Sequence, residues 1–475
     1  MIEEKLLIGG RWIKGASAFT VADKYYGKPI ASVAAADQEQ VDAAVAAAHK
    51  AFRGGTIPPY RRYEILMKAS QVLQARKDRV IEVMVAETGF TIADCNGDFA
   101  RCIQTLITSA EEAKRITGEM IPIEASPGHE RELAFTIRVP LGVVCAITPF
   151  NSPLNTVAHK VAPAIAAGNS VVLKPASYTP LCASELCKAL IEAGLPDGWI
   201  NLVNGPGRSV GKWLLDNSHV SYYAFTGGEA AGRAIQQGAG LRRTQLELGN
   251  ISATIVCADA NLDSATPKCA GTAFRKAGQV CTSLQRLYVH KSIAENVAER
   301  LAAAARGMKV GNPSDKDIAV GPMIALEEAT RAQSWVKEAA ASGARIVTGG
   351  DRDGPLLQPT VMTNVTPEMK LIREEIFAPV VSIVPFDTVD EAIAAVNGTP
   401  FGLSAGIFTA NIDTALNAAR RVEVGLFNIN QTSSNRADPM PYGGCKASGF
   451  GREGPRYAVR DMTDERLITI TPMQG

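Results

Sequence analysis

The chain has 475 residues, of which 46% are hydrophobic and 20% are charged, so it carries enough apolar material for a sizeable core and is not a disordered chain. Its 49 Lys and Arg residues against 48 Asp and Glu residues leave a net charge of +1. Polyanion binding needs clustered excess cations, so this balance argues against nucleic acid as a partner. At about 150 residues a domain, the length predicts two or three domains.

No membrane association is expected. The most apolar run, at 139–147, is far shorter than the roughly 18 residues of a spanning helix. The first residues lack the basic and apolar regions of a signal peptide. The nine cysteines are odd in number and scattered along the chain, which favours free thiols and a cytoplasmic location.

The predicted elements begin with three amphipathic helical patterns, at 37–52 (with Asp37 as the N-cap), 61–86 and 95–117. Residues 133–147 are rich in β-branched side chains, and a Pro-Leu-Gly interruption divides them into two strands. Short apolar strands then alternate with helices, one of which is expected to begin at Ser177. These strands are predicted at 170–174, 200–203, 221–225, 253–256, 287–289, 345–347, 380–385 and 426–430.

This alternation predicts an α/β fold with mostly parallel sheets and crossover helices. We interpret the chain as two α/β lobes, with the crossing between them near Glu247. Two strand-like segments, Ile121 to Val139 and Leu467 to Thr471, fit neither lobe. We expect them to pair with each other or with the edge of another subunit.

A candidate nucleophile lies in the sequence Gly278-Gln279-Val280-Cys281-Thr282-Ser283. Most of the nine cysteines are expected to be buried core residues, but small and polar residues flank Cys281, as access to a reactive thiolate requires. The five histidines offer no Cys-His-Asn arrangement that would support a papain-like reading.

Two further residues could assist such a nucleophile. Glu247 is a lone carboxylate between two leucines; it is either a solvated strand end or, in an apolar pocket, a general base with a raised pKa. Asn151 follows a buried strand in Thr148-Pro149-Phe150-Asn151, where it is either a turn residue or an amide donor to an oxyanion.

Ligand-binding signals follow two of the predicted strands. Lys174 lies at the carboxyl end of a strand, where open α/β sheets bind ligands, and Ser177 follows it closely. The Phe225-Thr226-Gly227-Gly228 turn can accept a pyrophosphate, although its spacing differs from G-x-G-x-x-G. No Walker A, HExxH or CxxC pattern occurs, so no metal site is predicted.

Taken together, these motifs resemble the NAD(P)-dependent aldehyde dehydrogenase superfamily, including its semialdehyde, phosphonoacetaldehyde and lactaldehyde dehydrogenases. The ordered matches cover essentially the whole chain. They are PFN (149–151), KPAS (174–177), FTGG (225–228), LELGN (246–250), GQVCTS (278–283), EEIFAPV (374–380), PFGLSAG (400–406) and PYGGCKASGFGREG (441–454).

The resemblance implies a mechanism. Cys281 would attack an aldehyde to give a thiohemiacetal, Asn151 and the Cys281 backbone N–H would hold the oxyanion, and hydride would pass to NAD or NADP. Glu247 would then activate the water that hydrolyses the thioester, and Lys174 is included in the catalytic set. The cofactor would contact Ile147, Thr148, Phe150, Lys174, Ser177, Gly207, Gly211, Phe225, Thr226, Gly227, Gly228, Leu248, Gly249, Glu375 and Phe377.

The resemblance also implies domains and an assembly. Residues 1–118 and 141–246 would form the cofactor-binding domain, 247–434 the catalytic domain, and 119–140 with 455–475 an oligomerisation arm of a homodimer or homotetramer. Three departures from the family pattern bear on the cofactor. Ser177 replaces a glutamate that repels a 2′-phosphate, which favours tolerance of NADP, Gly228 replaces a serine, and Met323 replaces a glutamine.

The expected substrate is a small anionic aldehyde such as a semialdehyde, by likeness to the semialdehyde and phosphonoacetaldehyde enzymes. His159 and Arg101 resemble anion-contacting positions of those enzymes, and Arg436 is expected near the substrate mouth. The alternatives are that Arg101 lies on a solvated helix face, that Arg436 pairs with Asp438, and that His159 is a buried, hydrogen-bonded ring. A CoA-acylating dehydrogenase and a catalytically silent structural relative are the alternative functions.

Overall fold

The computed structural model describes residues 1–472, and its secondary structure alternates strands and helices along most of the chain. The strands are β1 (Ile2–Glu4), β2 (Leu6–Ile8), β3 (Arg11–Ile13), β4 (Ser17–Ala22), β5 (Pro29–Ala35), β6 (Met120–Ile121), β7 (Leu133–Pro140), β8 (Val143–Ile147), β9 (Ser170–Lys174), β10 (Ile200–Leu202), β11 (Val220–Thr226), β12 (Arg243–Glu247), β13 (Ala253–Val256), β14 (Arg286–His290), β15 (Arg345–Thr348), β16 (Arg352–Asp353), β17 (Leu356–Leu357), β18 (Thr360–Thr363), β19 (Val380–Phe386), β20 (Phe401–Gly402), β21 (Ser404–Phe408), β22 (Leu426–Ile429), β23 (Cys445–Lys446), β24 (Gly449–Phe450) and β25 (Thr463–Ile470).

The helices pack on both faces of the larger sheets. They are α1 (Gln38–Arg53), α2 (Pro59–Ala75), α3 (Lys77–Thr88), α4 (Ile92–Ala113), α5 (Asn155–Ala167), α6 (Pro180–Glu192), α7 (Lys212–Asp216), α8 (Glu229–Ala239), α9 (Leu262–Phe274), α10 (Ala294–Arg306), α11 (Leu326–Ala341), α12 (Lys370–Arg373), α13 (Val389–Asn397), α14 (Ile412–Arg421) and α15 (Pro455–Asp461). A π-helical turn spans Gly207–Gly211, and a 3₁₀ turn spans Arg275–Gly278.

Two large sheets form the two lobes. The first has the strand order β24-β12-β11-β8-β9-β10-β2-β3 and the second the order β15-β18-β19-β14-β13-β21-β22. The central pairs of both sheets are parallel, as the alternation of strands and helices predicts. The α/β fold class is therefore confirmed. Strand β12 ends at Glu247, where the chain crosses to the second sheet, and the short strand β24 later returns to pair with β12 at the edge of the first sheet.

A third, three-stranded sheet joins the two segments that fit neither lobe. Strand β25 pairs antiparallel with β7 over their full lengths, and β6 pairs with the other edge of β7. The two segments thus pair with each other, as predicted, although a 3₁₀ turn and bends occupy much of 121–132. Residues 473–475 of the predicted arm lie outside the described residues, and the domain boundaries as such stay a prediction.

Several predicted bounds shift. The pattern at 61–86 forms two helices, α2 and α3, because the chain breaks at Arg76, and α4 begins at Ile92 with Thr91 as its N-cap. Asp37 caps α1 through a capping box, as expected. The predicted helix start at Ser177 is wrong. Helix α6 begins at Pro180, a favoured first helical residue, and the Ser177 hydroxyl donates instead to the Gly205 carbonyl at 3.1 Å.

No helix within residues 1–472 is long and apolar enough to cross a bilayer. All nine cysteines are free thiols, and seven of them are buried. The two that are partly exposed are Cys281 and Cys445.

Candidate active site

Two cavities meet between the lobes. The larger has a volume of about 480 Å³ and opens at the carboxyl ends of β8, β9, β11 and β12, and the smaller, of about 160 Å³, lies behind it. Five residues line both cavities: Asn151, Thr226, Glu247, Leu248 and Cys281. The three residues for which the sequence suggests chemistry at an aldehyde carbon are therefore all at the junction.

The larger cavity collects most of the predicted cofactor contacts. It is lined by Ile147, Thr148, Phe150, Lys174, Gly207, Phe225, Thr226, Gly227, Gly228, Leu248, Gly249, Glu375 and Phe377. Ser177 and Gly211 are not among its lining residues. Ser177 is exposed at the rim, between the lining residues Ala176 and Tyr178.

Gly249 shows how closely one part of this lining is built. A Cβ atom at residue 249 would lie 2.9 Å from Oε2 of Glu375, so a larger residue would displace that carboxylate. The other oxygen of Glu375 accepts the backbone N–H of Asn250 at 2.8 Å. Burial raises the pKa of Glu375 to about 7, which is partly offset by that hydrogen bond. Burial also lowers the pKa of Lys174 to about 8.

The loop before Cys281 is backbone-strained. Lys276 and Ala277 have φ values of 52° and 51°, and Gly278 follows with φ 70°. Left-handed conformations cost free energy at non-glycine residues and persist where the surrounding contacts impose them. A Cβ atom at residue 278 would lie 2.1 Å from the Ala378 carbonyl oxygen, so only glycine fits there. This turn places Cys281 at the junction of the two cavities.

Asp98, on α4, ties that loop to the loop that carries Asn151. Its carboxylate accepts hydrogen bonds from the Ser152 hydroxyl and, at 3.2 Å, from the Asn155 backbone N–H. It also pairs with Lys276 at 3.2 Å, and Lys276 donates to the Asn151 carbonyl at 2.9 Å. The buried charge pair thus fixes the distance between the Asn151 loop and the Cys281 loop.

The Cys281 thiol has one hydrogen-bonding side chain among the described residues, the hydroxyl of Tyr442 at 3.1 Å. Burial raises the pKa of the Cys281 thiol to about 11, and the Tyr442 hydroxyl opposes that rise. Tyr442 is itself buried, and the guanidinium of Arg436 lies 3.7 Å from the centre of its ring.

Glu247 ends β12 with its carboxyl group buried. Oε1 accepts a hydrogen bond from the Gln245 amide at 3.2 Å, and Oε2 is buried without a partner in the described chain. Burial and then the neighbouring Glu453 raise the pKa of Glu247 well above its ordinary value. The neighbouring cations pair with Glu453 and not with Glu247: Lys160 lies 3.1 Å and Arg436 2.9 Å from the Glu453 oxygens. Burial opposes ionisation of Glu453, but these two charges outweigh it and hold the pKa of Glu453 far below the usual range.

The three residues predicted to bind substrate are partly neutralised by carboxylates. Arg101 lines the smaller cavity, but its guanidinium pairs with Asp438 at 2.7 Å. His159 is fully buried against the same carboxylate at 2.9 Å and is not among the lining residues. Arg436 lines the cavity and pairs with Glu453, rather than with Asp438, the partner considered from the sequence.

Burial opposes ionisation of Asp438, but the hydrogen bond from His159 and the Arg101 charge outweigh it and hold the pKa of Asp438 below its usual range. Burial lowers the pKa of His159, and the Arg436 charge adds to this effect, so the ring is neutral. Of the alternatives that the sequence left open for His159, the buried, hydrogen-bonded ring fits best.

Sequence reasoning missed Arg275. It lines the smaller cavity, donates to the Ser434 hydroxyl at 2.5 Å, and forms no ion pair within 4 Å in residues 1–472, although the charge of Asp94 acts on it. Its position six residues before Cys281 was the one available signal. Tyr442, Asp98, Lys160 and Glu453 were also missed, because each acts through a contact with a residue far away in the chain.

Comparison with known proteins places this site in a family. The Aldehyde dehydrogenase family model matches residues 12–468. The 3-sulfolactaldehyde dehydrogenase of Priestia aryabhattai is 47% identical over 465 residues, which are 98% of this chain and 97% of that protein. The chain therefore belongs to the aldehyde dehydrogenase family, and the resemblance seen in its motifs is confirmed.

Two solved structures are close in fold. The NADP-dependent glyceraldehyde-3-phosphate dehydrogenase of Bacillus halodurans C-125, complexed with NADP, matches with a TM-score of 0.97 at 32% identity, over 99% of this chain and 100% of that one. Aldehyde dehydrogenase 21 of Physcomitrella patens, in complex with its reaction product succinate, matches with a TM-score of 0.96 at 34% identity, over 99% and 98%.

Proposed function

We propose that this protein oxidises a small anionic aldehyde to the carboxylic acid, with NAD or NADP as hydride acceptor and Cys281 as nucleophile. The observation that carries the proposal is the position of Cys281 at the junction of the two cavities, together with Asn151 and Glu247. A thiol so placed can hold a substrate carbon from one cavity within reach of a cofactor in the other.

The larger cavity fits a dinucleotide. It lies at the carboxyl ends of parallel strands, as in other doubly wound sheets, and part of its wall is the Thr226-Gly227-Gly228 turn that leads into the N-terminus of α8. Residues Lys174 and Glu375 would hold ribose hydroxyls, and Phe377 would lie against the nicotinamide. When bound, the cofactor supplies the acceptor for the hydride that leaves the substrate carbon. The NADP complex of the Bacillus halodurans enzyme supports this assignment.

The residues at the junction then supply the remaining chemistry. The Cys281 thiolate would add to the aldehyde carbon, and the Asn151 side-chain amide, which has no partner in residues 1–472, would donate to the oxyanion together with the Cys281 backbone N–H. After hydride departure the acyl group is a thioester on Cys281. A buried carboxyl with one bare oxygen, Glu247, would take the proton of the water that hydrolyses it.

The charges of the smaller cavity support a substrate with one negative charge. Four cations line it, and three of them pair with a carboxylate: Arg101 with Asp438, Lys276 with Asp98 and Arg436 with Glu453. The fourth, Arg275, is held by a serine hydroxyl and keeps its donors for a ligand. A carboxylate or sulfonate fits this excess of one cation, in keeping with the sulfolactaldehyde named for the Priestia relative.

The first experiment measures initial rates of NADH and NADPH formation at 340 nm, without CoA, for acetaldehyde, lactaldehyde, succinic semialdehyde, 3-sulfolactaldehyde and phosphonoacetaldehyde. We expect the carboxylate and sulfonate aldehydes to exceed acetaldehyde at least tenfold in kcat/KM, about 1.4 kcal/mol of transition-state preference. A preference for the neutral aldehydes would overturn the substrate class. A rate that appears only on addition of CoA would overturn hydrolysis, and no reaction with any aldehyde would overturn the function.

Both nicotinamide cofactors are expected to serve. Ser177 lies at the cavity rim with its hydroxyl engaged by the Gly205 carbonyl, so no negative charge at that position repels a 2′-phosphate. We expect kcat/KM values for NAD and NADP within about a factor of 100 of each other, and introducing Ser177→Glu should lower the value for NADP selectively. An equal loss with both cofactors would contradict this role of residue 177.

We also propose a homodimer or homotetramer in the cytoplasm. The β6-β7-β25 sheet exposes large apolar side chains, which an isolated subunit would leave in water: Met120, Leu133, Ile137, Leu467 and Ile470. The nine free thiols suit a reducing compartment. Light scattering after gel filtration should give a multiple of the 50.3 kDa subunit mass, and a monomer would contradict the assembly.

A further inference from the structure

Tyr442 contacts the reacting sulfur and is held rigidly there. Its hydroxyl lies 3.1 Å from Sγ of Cys281, and its side chain is buried in the smaller cavity's wall. The backbone is fixed from both sides, because Tyr442 donates to the Glu453 carbonyl at 3.1 Å and accepts from the Glu453 N–H at 2.6 Å. The backbone that carries the phenol is therefore fixed next to the Cys281 loop, and burial packs the ring in place.

The donor in this contact follows from the chemistry of a thiolate. A thiolate has no proton, so once Cys281 ionises the tyrosine hydroxyl is the donor, and a hydrogen bond to an ionised acceptor is roughly twice as strong as a neutral one. Burial raises the pKa of Tyr442 well above its ordinary value, so the phenol keeps its proton at neutral pH. The Arg436 guanidinium over the ring draws electron density from the hydroxyl and strengthens it as a donor.

No other side chain does this work in residues 1–472. Tyr442 is the one side chain there that hydrogen-bonds Sγ of Cys281, and no histidine of the described residues lines either cavity. A buried thiol needs some compensation for ionising away from water. The charge of Arg436 supplies part of it, and the one hydrogen bond from a side chain of the described residues comes from the Tyr442 hydroxyl.

We propose that Tyr442 is a catalytic residue, which donates its hydroxyl hydrogen bond to the Cys281 thiolate and so stabilises and orients the nucleophile. The phenol proton stays on its oxygen throughout, and no covalent bond forms or breaks at Tyr442. This inference rests on the proposed function, since it assigns a task at the nucleophile of that reaction. It predicts that the hydroxyl, and not the ring, carries the effect.

The test is the pH dependence of Cys281 alkylation by iodoacetamide, followed by mass spectrometry of the Cys281 peptide in the full-length protein. Tyr442→Phe keeps the ring and its contact with Arg436 but removes the hydroxyl. We expect the apparent pKa of alkylation to rise by about one unit, which is about a tenfold loss of thiolate at a given pH below it. The matched control, Tyr222→Phe, removes another buried hydroxyl, one bonded to Asp461, and should leave this pKa in place.

A second variant should shift the apparent pKa of Cys281 alkylation in the opposite direction while it keeps a phenol at residue 442. Replacing Tyr442 with 3-fluorotyrosine makes the phenol a stronger donor, so the alkylation pKa should fall, and kcat/KM at pH 7 should rise rather than drop. Unchanged alkylation pKa values in both Tyr442 variants would overturn the proposal. Because alkylation needs no aldehyde, that outcome is distinct from failure of the proposed function, which the wild-type aldehyde rates test.

Discussion

Arg101 and Asp438 form an ion pair across 337 residues of chain, with Nε of Arg101 3.3 Å from one carboxylate oxygen, and Nη2 2.7 Å and Nε 3.1 Å from the other. The same oxygen accepts from the buried ring of His159 at 2.9 Å. One carboxylate therefore neutralises the cation and holds the ring that the sequence offered as substrate-binding groups. The pair sets how much positive charge the smaller cavity presents.

Removing the charge of Asp438 should change which anions the enzyme accepts. Asp438→Asn keeps the shape but leaves Arg101 without its counter-charge, so the cavity gains one positive charge. We expect kcat/KM for phosphonoacetaldehyde, which carries a second charge, to rise about tenfold relative to that for succinic semialdehyde. The exposed control Asp317→Asn, which loses a surface pair with Lys309, should leave the ratio unchanged. An unchanged ratio in Asp438→Asn would contradict this account.

Arg275→Met should remove the preference for anionic aldehydes. A charge-assisted hydrogen bond lost from a buried site costs about 1.5–3 kcal/mol, so KM for succinic semialdehyde should rise about 10- to 100-fold. KM for acetaldehyde should change far less. Arg300→Met, at an exposed arginine paired with Asp263, is the control. Equal losses for both aldehydes would show that Arg275 serves the fold and not the substrate.

Cofactor affinity should depend on pH through Glu375. The pKa of this carboxyl is raised to about 7 by burial, and the ionised form is the better acceptor for ribose hydroxyls. Binding should therefore weaken as pH falls through about 7, with Kd measured by fluorescence titration between pH 6 and 8. Glu375→Gln should bind weakly at every pH and show no such slope. The exposed neighbour Glu374→Gln should keep it, and persistence of the slope in Glu375→Gln would refute the assignment.

The buried ion pair of Lys160 and Glu453 stabilises the fold, and its charges act on the neighbouring Glu247. Lys160 is fully buried, 3.1 Å from Glu453 and 3.1 Å from the Gln245 amide oxygen. Lys160→Met would leave the Glu453 carboxylate short of a partner, at a cost of about 3–5 kcal/mol in the free energy of unfolding. Urea unfolding at one protein concentration measures this. Lys212→Met, at an exposed pair with Asp216, should cost less than about 1 kcal/mol, and a similar small loss in Lys160→Met would contradict the prediction.

Local pattern made much of the fold predictable. The strands Ser170–Lys174 and Ala253–Val256 have the predicted bounds, because short apolar runs in a parallel sheet are buried on both faces and stand out from their neighbours. The helix start predicted at Ser177 is wrong because a serine suits both a helix cap and a loop, and Pro180 is the first helical residue. The break between α2 and α3 at Arg76 could not be predicted, because no glycine or proline occurs there.

The site residues were predictable where a chemically reactive side chain lies within a local sequence motif. Cys281, Glu247 and Asn151 each lie within a recognisable motif, and all three line the junction of the two cavities. The electrostatics were not predictable. Whether Arg101 is a free cation depends on Asp438, and whether the Cys281 thiol can ionise depends on Tyr442, and neither distance can be read from sequence spacing.

The most direct test of the account is single-turnover kinetics of Glu247→Gln with succinic semialdehyde and NADP, without CoA. In the proposed mechanism Cys281 carries the acyl group as a thioester and Glu247 activates the water that hydrolyses it. The variant should therefore release about one equivalent of NADPH per subunit and then stop. Intact-mass spectrometry should find the acyl group on the Cys281 peptide, and Cys281→Ala should give neither NADPH nor adduct. Turnover of Glu247→Gln at the wild-type rate, or NADPH formation by Cys281→Ala, would contradict it.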